Sequence, residues 1–319
     1  MALKFRKLLK SLLPIFIGVF CIYYSFKNIN FIDFKQYFYE IDYSWVFIGI
    51  ILGALSHISR SYRWKYLIEP MGYQLGFLNS TLAVFSAYLI NYTVPRAGDV
   101  ARATMISKYE KIPFEKTLGT IVAERAIDVL CILIIISIGL VIEFDRILEK
   151  IISFSETKDL AFILLMLIVV VLIILLTYNL LKRSSLKNKL TIFFNGLYEG
   201  LVVIFKMEKK IQFIFHSIFI WLMYILMFWV TSKAFIELHD TSFFQMMISF
   251  TLAALSIMLS NGGIGIYPLA VEESLGWYGI QSATGLAFGW VMWLSQTLMV
   301  IIFGGLSLFI LPFVNRNKI

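Results

Sequence analysis

Charge is what this sequence has least of. Only 15% of its 319 residues are Asp, Glu, Lys or Arg, while 60% are hydrophobic and 16% aromatic. A soluble domain carries about a quarter charged residues, so a water-facing surface over most of the chain is excluded. Cysteine is equally scarce. Cys21 and Cys131 are its two cysteines, each inside an apolar run, which argues against a disulfide framework or a thiolate metal site and for two small buried hydrophobes. The three histidines, His57, His216 and His239, are far apart and belong to no His-Glu-x-x-His element. There is no phosphate-binding Walker loop and no acidic sugar-nucleotide pair, and Gly-Ile-Gly at 263–265 is too little for a dinucleotide loop. Neither a cofactor nor a metal is expected. Every gap between apolar runs is also far shorter than a domain, so no soluble domain is expected.

What is present is hydrocarbon in long runs, such as 129–142 and 160–176. Runs of this kind, free of charge, suit a bilayer crossing. The alternation of a membrane β-barrel is missing, so the chain reads as an all-α polytopic membrane protein. Six full spans are expected: 12–26, 44–68, 117–142, 160–181, 211–236 and 283–311. The first follows Lys4, Arg6, Lys7 and Lys10 and has no small-residue cleavage site, so it reads as a retained span with a cytoplasmic N-terminus. The formal charge of +8 comes from 28 Lys+Arg against 20 Asp+Glu. It suits basic cytoplasmic loops beside anionic lipid, not nucleic acid.

Loop charge also decides how two interrupted segments lie. Segment 143–159 is net −2 and segment 182–210 is net +5. The positive-inside rule places them outside and inside respectively. That parity holds only if 77–110 enters from the cytoplasm and returns there, and 243–276 does the same from outside. Both are therefore expected as re-entrant helical hairpins, broken at Pro95–Gly98 and at 260–268, and both termini are cytoplasmic. TLAVFSAYLIN (81–91) matches TLAALSIMLSN (251–261) at six positions. Each half, 44–142 and 211–311, runs span, hairpin, span, which makes an inverted-topology repeat in one integral membrane domain. Span 160–181 and the basic segment 182–210, with an amphipathic interfacial helix near 190–205, link the halves.

The polar residues that this architecture would hold at depth are the candidate site. Arg96, Asp99 and Arg102 surround the first hairpin's tip, where a short helix begins and its free N–H groups favour an anion. Asn91 and Asn261 close the matched segments, and Gly263 and Gly265 mark the second tip. Glu124, Arg125 and Asp128 lie about 10–16 Å along the next span. Each charge at such depth costs roughly 2.5–3.5 kcal/mol, so these residues should face the protein interior and be paired. They read either as an ion-pair network locking the hairpin or as a headgroup or proton-coupling site. Arg60 and Arg63 of span 44–68 fit two readings: side chains snorkelling to the cytoplasmic interface, with Trp64 and Tyr66 as an aromatic belt, or a basic wall of a headgroup site.

The sequences PRAGDVAR at 95–102, AERAIDVL at 123–130 and SNGGIG at 260–265 together resemble the lysylphosphatidylglycerol synthase transmembrane (flippase-like) family over roughly 12–311. Full synthases of that family add a soluble aminoacyl-transfer domain, which is not expected within these 319 residues. The resemblance therefore implies lipid translocation in the cell's inner membrane. The expected ligand is a lipid with an anionic or zwitterionic headgroup, and the implied protein partners are a second copy or a separate lipid-modifying enzyme. Arg96, Asp99, Arg102, Glu124, Arg125 and Asp128 are the motif positions it marks. A headgroup-modifying membrane enzyme, with Glu124 or Asp128 as general base, and a non-catalytic membrane scaffold are the competing readings.

Overall fold

The computed structural model describes residues 20–27, 31–94, 97–146, 148–149, 207–257 and 260–316. Most of span 12–26, all of span 160–181, the interfacial helix near 190–205 and Arg96 lie outside the described residues. Among the described residues every regular element is helical. Helix α1 is Phe31–Glu40, α2 Tyr43–Ile68, α3 Phe77–Thr93, α4 Gly98–Glu110, α5 Phe114–Ile142, α6 Lys210–Ser232, α7 Phe243–Ser256, α8 Ile266–Gly276 and α9 Ser282–Val314. Among the described residues, α2, α5, α6 and α9 are long and apolar enough to cross a membrane. They fall on four of the expected spans, and the chain is a polytopic membrane protein.

Local chemistry sets the boundaries. The Asp42 side chain accepts from the Ser44 N–H at 2.9 Å and opens α2. Pro70 and a left-handed Gly72 (φ 83°) close the turn after it. Helix α3 ends at Val94, whose extended backbone (φ −127°, ψ 108°) is what a following proline demands. A reciprocal box between Ser242 and Gln245 starts α7. Helix α5 begins at Phe114 directly after Pro113.

The chain divides into two units, 1–121 with 207–319, and 122–206. Within the first, α2 packs along α6 and the two run antiparallel: Gly49 faces Thr231, Gly53 faces Met227, and Arg63 bonds Ser217. Helix α9 is a spine that touches both interrupted segments. It lies antiparallel to α3, with Tyr92 beside Thr297, Phe85 and Leu89 against Gly304, Leu82 near Leu311, and Asn79 bonded to Asn315. It lies antiparallel to α8 as well, with Pro268 against Gly289 and Glu272 against Gly285.

The interrupted segments are helical hairpins. Helix α4 folds back along α3 until Glu110 reaches Asn79 (2.6 Å) and Gly76 at the hairpin's base. Gly98 is required at the fold. Its N–H donates to Asn91 Oδ1 at 2.8 Å, and a Cβ there would collide with the Ala87 carbonyl oxygen. Element lengths repeat across the halves: 26, 17 and 13 residues for α2 to α4, and 23, 14 and 11 for α6 to α8. The α2–α3 and α3–α4 packings recur as α6–α7 and α7–α8. The antiparallel α2–α6 pair is the arrangement that an inverted repeat requires of equivalent helices.

Candidate functional site

The inner surface of α2 carries a layer of cations, all in the first unit. On this helix Ser56, His57, Arg60, Arg63 and Trp64 fall on one broad face, and all are buried. Arg60 is 3% exposed and Arg63 0%. Arg63 Nη1 donates to Ser217 Oγ at 2.9 Å, and its guanidinium carbon lies 5.4 Å from the Phe213 ring centre. Snorkelling to the interface is therefore overturned for both arginines: α6 covers the C-terminal part of α2 and leaves these side chains inside the protein. Trp64, 0% exposed, and Tyr66, 6% exposed, are likewise core residues and form no aromatic belt.

The third cation comes from the first hairpin. Arg102 of α4 is 4% exposed, and its guanidinium carbon sits 3.6 Å from the centre of the Trp64 ring. A cation held against an indole away from water gains about 2 kcal/mol. Trp64 is fixed in turn by its indole N–H, which donates to Thr120 Oγ1 at 2.8 Å. The layer thus joins α2, α4, α6 and the start of α5. Three buried guanidinium groups give fixed, fork-shaped donors for oxyanions, the geometry that phosphate recognition uses. Lys209, outside the spans, donates from Nζ to the Glu69 carboxylate at 2.9 Å, and that carboxylate holds the ammonium above the usual lysine range.

The tips of the two hairpins meet. The Tyr92 ring lies over Gly262, where an added Cβ would come within 3.0 Å of it. Gly262 has φ 64°, and its carbonyl accepts from the Trp293 indole at 2.8 Å. The Tyr92 hydroxyl accepts from Thr297 at 3.3 Å. Asn91 is tied to Gly98 on one side of this junction. Asn261 opens the turn on the other, and Gly263 (φ 76°) and Gly265 (φ 72°) give the left-handed backbone that turns the chain into α8. His57 packs between Phe85, Tyr88 and Tyr224, with ring centres 5.5, 4.3 and 6.0 Å away.

Of the remaining expected residues, Asp99 is half-buried in the first turn of α4, where the helix dipole favours a carboxylate. Glu124, Arg125 and Asp128 belong to the second unit. Along that part of α5, Glu124 and Asp128 are one turn apart and buried at 1% and 8%, while Arg125 is exposed. The expectation that all three turn inward is thus met by the two carboxylates and not by Arg125. Helical geometry gives the reason, since Arg125 sits about 100° round from Glu124. Among the described residues no group of three or more His, Cys, Asp or Glu side chains is placed to hold a metal.

Sequence reasoning missed the base of the first hairpin. Asn79 Nδ2 donates to Glu110 Oε1 at 2.6 Å and to Asn315 Oδ1 at 2.9 Å, and Asn315 Nδ2 returns to Asn79 Oδ1 at 2.7 Å. Partners 236 residues apart leave no local signal. It also missed Trp64 as the platform for Arg102, although a tryptophan amid buried arginines is a cue.

Comparison with known proteins agrees in kind. The model of the family described as lysylphosphatidylglycerol synthase TM region matches residues 11–304. A UPF0104 membrane protein of Methanocaldococcus jannaschii is 36% identical over 87 residues, 26% of this chain and 26% of its own. The chain therefore matches about a quarter of the length of that relative. No solved structure matches.

Proposed function

The chain belongs to the lysylphosphatidylglycerol synthase transmembrane family, and we propose that it binds a lipid with an anionic or zwitterionic headgroup and moves it between the leaflets of the cell's inner membrane. The carrying observation is the set of three guanidinium groups, Arg60, Arg63 and Arg102, each under 5% exposed in a bundle of apolar helices. Keeping a cation at such depth costs roughly 2.5–3.5 kcal/mol on insertion scales. Guanidinium groups gathered in this way present charge-assisted donors whose geometry suits a lipid phosphate.

In this reading the arginine layer takes the phosphate, and the hairpin tips at Tyr92 and Gly262 form the constriction that the headgroup passes. Helix tips at membrane depth tolerate irregular backbone only where protein or water lines them, which suits a headgroup path. Asp99 extends the same hairpin's polar lining. Glu124, Arg125 and Asp128 form a second polar set in the other unit, assigned here to headgroup contact or proton coupling.

The test is reconstitution of the purified chain in vesicles, with its co-purified lipid named by mass spectrometry and the movement of that lipid across the bilayer then followed. Arg102→Gln removes a charge-assisted contact of about 1.5–3 kcal/mol, so transport should fall roughly tenfold or more. Transport equal to wild type in a folded Arg102→Gln protein would refute the assignment. A change in the lipid's mass on incubation would instead point to headgroup modification, with Glu124 or Asp128 as general base.

A further inference from the structure

A groove opens on the outer side of the α2–α6 pair. It encloses about 280 Å³ and is walled by Leu55, Ile58 and Tyr62 of α2 and by Phe215 and Phe219 of α6. Its polar floor is already satisfied, because Ser59 Oγ and His216 Nδ1 share a hydrogen bond of 2.8 Å. The walls therefore present hydrocarbon for about 10 Å, the rise between Leu55 and Tyr62. At the shallow end stands Lys65, half-buried, with Nζ 3.5 Å from the Tyr62 ring centre and 5.1 Å from that of Tyr66. Among the described residues no carboxylate forms an ion pair with Lys65. The nearest acid along the chain, Glu69, is engaged by Lys209 at 2.9 Å.

We propose that this groove binds one acyl chain of an anionic phospholipid of the cytoplasmic leaflet, with the lipid's phosphate at Lys65. The pattern of an ammonium held on an aromatic shelf without a carboxylate, followed inward by an apolar channel, complements a headgroup followed by its hydrocarbon chain. The sign of the headgroup follows from the surroundings. Arg63, bonded to Ser217 next to His216, adds a second positive charge behind the groove. A zwitterionic headgroup would bring its own ammonium to a place with no free acid to receive it. The site does not depend on translocation. It lies outside the arginine layer and would hold its lipid in a protein that moves none.

The full-length chain is reconstituted in vesicles that contain phosphatidylglycerol or phosphatidylcholine probes carrying a diazirine in the acyl chain. Light-induced labels are then placed by peptide mass spectrometry. Labelling of Leu55, Ile58 and Phe219 by the anionic probe should exceed that by the zwitterionic probe roughly fivefold, the selectivity of one lysine beside an anionic lipid. Lys65→Gln, at a half-exposed position that folding tolerates, should bring the two probes level, and Ile58→Trp should fill the groove and remove the label. Equal labelling by both probes in the wild type, or no effect of Lys65→Gln, would show ordinary boundary lipid and overturn the inference. Arg102→Gln should keep the selective label while losing transport, so the two readings fail separately.

Discussion

The base of the first hairpin offers the most quantitative test of the fold. Asn79 and Asn315 are 4% and 0% exposed and exchange two amide hydrogen bonds, at 2.9 and 2.7 Å. Asn79 also donates to Glu110, and Asn315 to the Leu311 carbonyl. This clasp ties the start of α3, the end of α4 and the end of α9. Replacing Asn79 by Leu removes three hydrogen bonds and leaves the Asn315 carbonyl oxygen buried without its donor. At about 0.6–1 kcal/mol per bond in a membrane protein, plus about 1 kcal/mol for the orphaned acceptor, the loss comes to about 3–4 kcal/mol. Asn315→Leu strands the Asn79 carbonyl oxygen in the same way, although the second donor of Asn79 keeps Glu110. The double replacement loses the shared pair once and strands neither amide. It should therefore cost about 3–4 kcal/mol less than the sum of the single changes, because the two shared bonds are counted once and the two orphaned acceptors disappear. Reversible denaturation of the four proteins in detergent micelles, read by tryptophan fluorescence, measures this coupling. Coupling below about 0.5 kcal/mol, the usual limit for independent sites, would mean that the two amides do not hold the helices together.

Other expectations follow from single contacts. Gly98→Val places a branched side chain against the Ala87 carbonyl and Asn91, so the hairpin must open, lowering stability in the same denaturation assay by about 1–3 kcal/mol. Trp64→Phe keeps a ring under Arg102 but loses the bond to Thr120, while Trp64→Ala loses both. In the denaturation assay the first should cost about 1 kcal/mol and the second about 3–5. Single cysteines at Lys108 and Gln281, both exposed, in a background without Cys21 and Cys131, should react from opposite sides of sealed vesicles. Reaction from one side would break the inverted arrangement of the two hairpin bases. Lys209→Ala breaks a solvent-exposed pair with Glu69 and should leave the unfolding midpoint unchanged, since water and salt screen such contacts.

The helices were legible because a bilayer admits few solutions. Once charge falls so low and apolar runs grow so long, backbone groups must be paired within helices, and Pro95 and the glycines of 262–265 punctuate them. The charge of segments 143–159 and 182–210 then implied that 77–110 leaves and returns on one side, and the contact between Glu110 and Asn79 is that return. Arg102 was legible as a motif position, and Arg60 and Arg63 as cations on one face. Their fate was not. Snorkelling and burial use the same residues on the same helix, and only the neighbour decides between them.

Here the neighbours are α6 and α4. Ser217 receives Arg63, and Trp64 receives Arg102, across separations that helical periodicity does not encode. The meeting of Tyr92 with Gly262 and the Asn79–Asn315 clasp are of the same kind, contacts between elements far apart in the chain. The sequence by itself determined which segments are helical, where they break and which charges must be reckoned with, because those are local costs of backbone and solvent. Only the tertiary structure decided which charges are enclosed and what encloses them, because the cost of a buried cation is met by side chains from other helices.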